Sequence, residues 1–127
     1  MPNIFGDTVR LLLTSHEYFQ NYGRQDQDTL TPAERLLYSG EMSRITLRLT
    51  CIMSWLTFQR AVFNGRMSAK DAQGSDFDLG FQEACMVQNE EAERVLPKEM
   101  KSILDETFAL YSRVLRLHQQ ILFPDQE

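Results

Sequence analysis

The longest regular pattern of apolar and polar positions in this sequence lies between Thr31 and Gly65. Apolar side chains recur there at spacings of three and four, the period of one face of a helix. Thr31 and Glu34 form a T-x-x-E capping box, and Pro32 suits the first helical position. Gly65 can take the left-handed conformation that closes a helix. We therefore predict one long helix over about 32–63.

This central helix carries apolar residues on more than one side. The first stripe reads as a core seam: Tyr38, Met42, Ile45, Leu49, Ile52, Leu56 and Phe63. The second stripe lies on another face: Leu47, Cys51, Trp55, Phe58 and Val62. A helix of this length is ~48 Å long, so its partners either match it or leave apolar surface for another chain. We expect core or dimer contacts from these residues: Met42, Ile45, Leu49, Ile52, Trp55 and Leu56.

Two further helices are predicted, one on each side of the central helix. The first spans about 5–22 and ends at Gly23, with this apolar stripe: Phe5, Val9, Leu12, His16 and Phe19. The last spans about 97–123 and has one broad buried face. Between them, residues 74–96 show no period and are rich in acids, so we predict an acidic loop. The fold class is all-α: an antiparallel three-helix bundle in one domain over 1–127, with a long central helix, and we expect a dimer.

Charge and composition narrow the function classes. Residues are 43% hydrophobic and 24% charged, as in ordinary globular proteins. The net charge of −5 argues against a nucleic-acid partner. Residues 31–70 carry +4 and residues 71–106 carry −7, so the two segments either pair with each other or face a protein partner. No stretch resembles a signal peptide or a membrane span, and we expect a cytoplasmic protein without a membrane partner.

Residues that could carry a reaction are few. Neither His16 nor His118 follows a glutamate by three residues, as a di-metal bundle requires. Cys51 and Cys85 have no zinc-type spacing, and glycine loops that bind phosphate are absent from the sequence. We predict no enzyme activity, no metal and no cofactor. A helix-turn-helix protein is an alternative, but the central helix is about twice as long as a recognition helix.

Four pieces of the central helix combine into one motif. They are E-M-S-R-I-T-L-R-L from Glu41, S-W-L from Ser54, Q-R-A-V from Gln59, and Gly65. In an ungapped register they resemble the pattern E-S-x-R-L-T-x-R-L, S-W-L, Q-R-A-V and glycine of a bacterial family, the regulator of CtrA degradation family. Each piece alone is common in helices, so the specificity comes from the combination.

The resemblance implies a dimeric three-helix bundle that acts as an adaptor for the ATP-dependent Clp protease. Such an adaptor promotes degradation of cell-cycle regulators together with other adaptors. It needs no active site, because holding substrate and protease together raises their effective concentration. The expected partners are the Clp unfoldase or its adaptors, substrate regulators and a second copy of the chain. Where the family has a flexible charged extension, only 124–127 follows the last helix here, and we expect loop 74–95 to take its place.

The alternative function is a helical protein-interaction module or a transcription-related regulator without a link to the protease. The motif marks five candidate partner-binding residues: Glu41, Arg44, Arg48, Gln59 and Arg60. The first three lie on one side of the helix. They either contact a partner or tie the long helix to its neighbours or to the dimer mate. Trp55 is interpreted as a core residue, because it lies within the second apolar stripe.

Overall fold

The computed structural model of the protein describes residues 3–66 and 79–122, and every regular element in these two ranges is a helix. The elements are α1 (Ile4–Tyr18), a π-helix (Phe19–Gly23), α2 (Arg24–Asp28), α3 (Pro32–Phe63), α4 (Gln82–Met86), α5 (Glu90–Val95) and α6 (Lys98–Leu122). Positions 74–78 of the predicted loop and 123–127 at the end of the chain lie outside the described residues. The all-α fold class is confirmed.

Both ends of helix α3 are completed by neighbouring residues. The Thr31 hydroxyl accepts a hydrogen bond from the Glu34 N–H at 3.2 Å, and the Glu34 carboxylate accepts one from the Thr31 N–H at 2.9 Å. At the other end, Gly65 has a φ of 75°, which a glycine adopts without strain. The N–H groups of Gly65 and Arg66 donate to carbonyls of the last turn.

Helices α1, α3 and α6 pack against one another. Helix α1 is antiparallel to α3, because Tyr18 contacts Tyr38 near one end of α3 and Phe5 contacts Arg60 near the other. It is also antiparallel to α6, as two salt bridges show: Asp7 with Arg113 at 3.0 Å and Arg10 with Glu106 at 3.4 Å.

Helices α3 and α6 run in the same direction. Arg48 binds the Leu104 carbonyl, and further along both helices Trp55 binds His118. Residue numbers therefore rise together along the two helices. The antiparallel order expected for consecutive long helices is wrong for this pair.

Gly23 does not end the first helical segment, contrary to the prediction. The chain continues through the π-helix into α2, and Gly23 itself is buried with right-handed helical angles. A Cβ atom at this position would lie 3.2 Å from the Tyr38 hydroxyl. The glycine is explained by the close approach of Tyr38 rather than by a helix stop.

Helix α1 buries a different face from the predicted one. Phe5, Leu12 and His16 are exposed, whereas these residues are buried: Thr8, Leu11, Ser15 and Tyr18. Short hydroxyl side chains allow close approach, and the Thr8 hydroxyl is satisfied by donating to the Ile4 carbonyl at 2.6 Å. The apolar period pointed to the wrong face because two of the buried side chains are polar.

The burial of the apolar residues of α3 decreases towards the end of the helix. These residues are buried in the core: Tyr38, Ile45, Leu49, Ile52 and, from the second stripe, Cys51 and Trp55. Met42 and Leu56 are half-buried, and Phe63 is 90% exposed. Helix α6 supplies the other side of the core: Met100, Ile103, Leu104, Leu110, Tyr111 and Val114.

The described part of the predicted acidic loop contains α4 and α5. The Asn89 side chain caps α5 by accepting hydrogen bonds from the N–H groups of Glu91 and Ala92. Leu79, Cys85, Ala92 and Leu96 are buried against the long helices. Helices of five or six residues are too short to show a hydrophobic period, and packing rather than propensity holds them.

Candidate functional site

Arg48 lies near the middle of α3 and is only 1% exposed. Its guanidinium donates hydrogen bonds to four acceptors. Nε donates to the Cys85 carbonyl at 2.8 Å, and Nη2 donates to the Val87 carbonyl at 2.9 Å. Nη1 donates to the Leu104 carbonyl at 3.1 Å and to the Thr107 hydroxyl at 3.2 Å. Burial, and to a smaller extent Arg44, lower the pKa of Arg48 to about 10. The side chain is therefore still charged at neutral pH.

Glu41 and Arg44 continue this arrangement towards the start of α3. Arg44 forms a salt bridge with Glu41 at 3.1 Å, and it also donates to the Ala84 carbonyl. Glu41 is 4% exposed, so the pair is largely removed from water. Three of the five candidate partner-binding residues thus lie in contacts within the chain.

The carbonyls bound by Arg44 and Arg48 belong mostly to the end of α4. The last carbonyls of any helix lack partners within the helix, and α4 has only five residues. No further turn of helix follows α4 to supply N–H donors to the carbonyls of Ala84, Cys85 and Val87. Arg44 and Arg48 donate to these carbonyls instead. We name this region, residues 41–48 with 84–87, the closed end, after the end of α4 that the two arginines complete.

Two thiols lie near the closed end. Cys51 and Cys85 are both free and buried, and the hydroxyl of the neighbouring Tyr111 donates to the Gly80 carbonyl at 2.9 Å. Burial raises the pKa of the Cys51 thiol to about 11 and also raises the pKa of Cys85. Both are protonated at neutral pH, and protonated thiols are poor nucleophiles.

Trp55 packs in the core and uses its polar atom as well. Its Nε1–H donates to Nδ1 of His118 at 3.1 Å, and the two rings meet edge to face with centroids 6.4 Å apart. Sequence reasoning had considered His118 only as a metal ligand. In the parts of the chain that the structure describes, no three His, Cys, Asp or Glu side chains are grouped so that they could hold a metal ion.

The other two candidate partner-binding residues, Gln59 and Arg60, line a groove of about 820 Å³ beside the last three turns of α3. One wall comes from α3 and includes Leu56 and Phe63, and the other comes from Phe5 of α1. The Arg60 guanidinium carbon lies 5.9 Å from the centre of the Phe5 ring, and the Arg60 side chain is exposed. We name this region the open groove.

Sequence reasoning identified Gln59 and Arg60 as candidate partner-binding residues and Leu56 as a core or dimer contact, but it missed the exposed aromatic side chains of the open groove. Phe5 and Phe63 were both assigned to buried stripes, yet they are 49% and 90% exposed. The available signal was the face of α3 on which Met53, Leu56, Arg60 and Phe63 follow at spacings of three, four and three.

The fold and these sites define a small all-helical protein, and across residues 3–66 and 79–122 no helix is both long and apolar enough to cross a membrane. The chain belongs to the family described as a protein of unknown function, DUF1465, which matches residues 1–127. Among solved structures it is similar to RcdA from Caulobacter crescentus CB15, with 30% identity and a TM-score of 0.70 over 93% of this chain and 87% of that chain. The resemblance to the regulator of CtrA degradation family is thereby confirmed. A comparison with curated proteins finds no significant match.

Proposed function

We propose that this protein is a non-catalytic adaptor for regulated proteolysis. In this role it promotes degradation of cell-cycle regulators by the ATP-dependent Clp protease and acts together with other adaptors. The observation that carries the proposal is its likeness to RcdA, a regulator of CtrA degradation, over nearly the whole length of both chains. The likeness therefore includes α1, α6 and the surfaces between them, beyond the motif of α3.

The physical requirements of an adaptor agree with the sites described above. An adaptor raises the effective concentration of a substrate at the protease, which requires binding surfaces but no reacting groups. The buried thiols are protonated, and the charged residues of the closed end are occupied by contacts within the chain. The open groove offers exposed apolar side chains beside a cation, a composition typical of protein-binding surfaces.

The proposal is tested by protein half-lives in cells. Translation is stopped in a strain lacking this protein and in the same strain carrying it, and mass spectrometry follows the decay of each protein. We expect a small set of regulators to decay several-fold more slowly without the adaptor and to be trapped by a protease-dead Clp variant only when the adaptor is present. Unchanged half-lives for all trapped proteins would favour the alternative, an interaction module without a link to the protease.

The proposal also includes a homodimer of three-helix bundles in the cytoplasm. A second copy provides two binding surfaces, so that protease and substrate can be held by one assembly. Light scattering at micromolar concentration should then give about twice the chain mass of 14.8 kDa. A mass equal to one chain would remove the dimer from the proposal and leave the adaptor role to be carried by a monomer.

A further inference from the structure

We infer that the open groove binds an acidic amphipathic helix of a partner protein. The inference deepens the proposed function and rests on it for the partner being a substrate or a component of the protease system. It concerns surface residues at the end of α3 that make no contribution to the closed end.

The apolar part of the groove is arranged as one face of a helix. Met53, Leu56 and Phe63 follow at the spacings of a packing seam, with Arg60 between the last two. Phe63 is 90% exposed, and Phe5 on the opposite wall is 49% exposed. Two large aromatic side chains facing an open channel favour a ligand that inserts apolar side chains at matching intervals, as an amphipathic helix does.

The charge of the groove selects an acidic partner. Arg60 is the charged residue among the lining residues that the structure describes, and it takes part in no ion pair within the described ranges. The nearby acid of α1, Asp7, is engaged by Arg113. Arg66 is exposed just beyond the helix end. A carboxylate on the apolar face of a bound helix would therefore meet an available guanidinium.

The carbonyls at the end of α3 are not free to bind a cationic partner. Carbonyls of the last turn of α3 already accept hydrogen bonds from Gly65 and Arg66. A lipid surface fits less well, since membrane recognition uses clusters of four to eight basic residues and the chain carries a net charge of −5. A protein segment is the occupant that satisfies both the apolar walls and the isolated arginine.

The test begins with a phage-displayed library of random peptides, selected on the full-length protein. We expect enriched peptides to carry two large apolar residues three or four positions apart and a Glu or Asp on the same face. Selection without enrichment, or enrichment of peptides that lack an acid, would overturn the inference.

The enriched peptide is then synthesised, and its affinity is measured by fluorescence anisotropy on matched variants. Arg60→Gln should weaken binding about fivefold and Phe63→Ser about tenfold. Arg116→Gln and Leu36→Ser are the controls, because both residues are exposed on other parts of the helices. Replacing the peptide acid by its amide should weaken binding to the wild type but not to Arg60→Gln. Equal losses on both proteins would contradict the proposed pairing.

Further measurements separate this inference from other occupants and from the proposed function. If Phe63→Ser converts a dimer to a monomer, a second copy of the chain covers the groove. If Arg60→Gln abolishes binding to vesicles containing anionic lipid, a membrane covers it. Either result would overturn the inference. Normal delivery of the regulators by both groove variants would refute the proposed role of the groove in partner binding but would leave the proposed adaptor function standing. Peptide binding in the groove, together with regulator half-lives that are the same with and without this protein, would support the groove as a binding site and refute the adaptor function.

Discussion

The closed end and the open groove place two arginines of the same helix in opposite environments. Arg48 is 1% exposed and has four hydrogen-bond acceptors, whereas Arg60 is exposed and lies against a single aromatic ring. Both belong to the motif that resembles the family pattern. A shared motif and a shared helix therefore do not imply a shared role.

The difference follows from how nearby helix ends are completed. At the closed end, the five-residue helix α4 leaves carbonyls without partners, and Arg44 and Arg48 bind them. At the open groove, Gly65 and Arg66 complete the end of α3 through their own N–H groups. Arginine is buried where the fold leaves acceptors for it, and it stays on the surface where the backbone has satisfied itself.

The largest effect is expected from removing the buried arginine. Arg48→Ala leaves three carbonyls and the Thr107 hydroxyl without this donor, so we expect the free energy of unfolding to fall by about 3–5 kcal/mol. Urea unfolding followed by circular dichroism measures the loss. If that variant does not fold, Arg48→Lys keeps the charge but loses the planar fork and should lose about 2 kcal/mol. A free energy of unfolding within about 0.5 kcal/mol of the wild-type value would show that the contacts of Arg48 do not stabilise the closed end.

A smaller effect is expected from Arg44→Ala, because it leaves the buried Glu41 carboxylate without its cation. We expect a loss of about 2–3 kcal/mol at pH 7. Glu41→Gln removes the charge that needs compensation, so Arg44→Ala should cost at least about 1 kcal/mol less in that background. A double-mutant cycle in urea gives this coupling. No coupling would mean that Arg44 stabilises the closed end through the Ala84 carbonyl alone.

Local signals in the sequence predicted α3 well, because its caps lie within a few residues of the groups they satisfy. The burial of Arg48 could not be predicted in this way. Its acceptors come from Cys85, Val87, Leu104 and Thr107, which are distant in sequence and are brought together by the packing of α3 with α4 and α6. The i, i+3, i+7 spacing fixes which side of the helix a charge occupies but not what lies opposite it.

The errors elsewhere have equally specific causes. Thr8 and Ser15 are buried in α1 although they are polar, so the apolar stripe indicated the wrong face. Helix α4 was hidden by its shortness. Phe63 was assigned to the seam because periodicity continues to the end of α3, whereas its burial requires a neighbour at that level of the molecule.

The thiols near the closed end give a prediction on pH. The folded pKa of Cys51 is about 11 against 9.0 for an unperturbed thiol, so between these values the unfolded chain loses a proton that the folded chain keeps. Stability from this group is complete below pH 9 and falls by up to about 1.4 kcal/mol per pH unit towards pH 11. Buried Tyr18 and Tyr111, whose pKa values are also raised by burial, act in the same direction above pH 10.

Urea unfolding at several pH values measures this slope, and Cys51→Ala should make it shallower between pH 9 and 11. The control is the same series on Arg60→Ala, whose slope should equal that of the wild type. A native-state thiol reagent at pH 8 should react slowly with Cys51 and Cys85 and rapidly in denaturant. Fast native labelling or an unchanged slope in Cys51→Ala would show that the thiol is open to water.

The smallest effect is expected at the open groove. Arg60→Ala removes an exposed side chain whose contact in the described structure is the Phe5 ring, and such a cation–π pair is worth about 0.5–1 kcal/mol on a surface. We expect the free energy of unfolding to fall by about 0.5–1 kcal/mol, with a coupling no larger than this between Arg60→Ala and Phe5→Leu in a double-mutant cycle. A coupling above about 1.5 kcal/mol would mean that Arg60, like Arg48, stabilises the fold through its contacts within the chain. The closed end and the open groove would then share one role, and a free arginine would no longer be available to a partner's carboxylate.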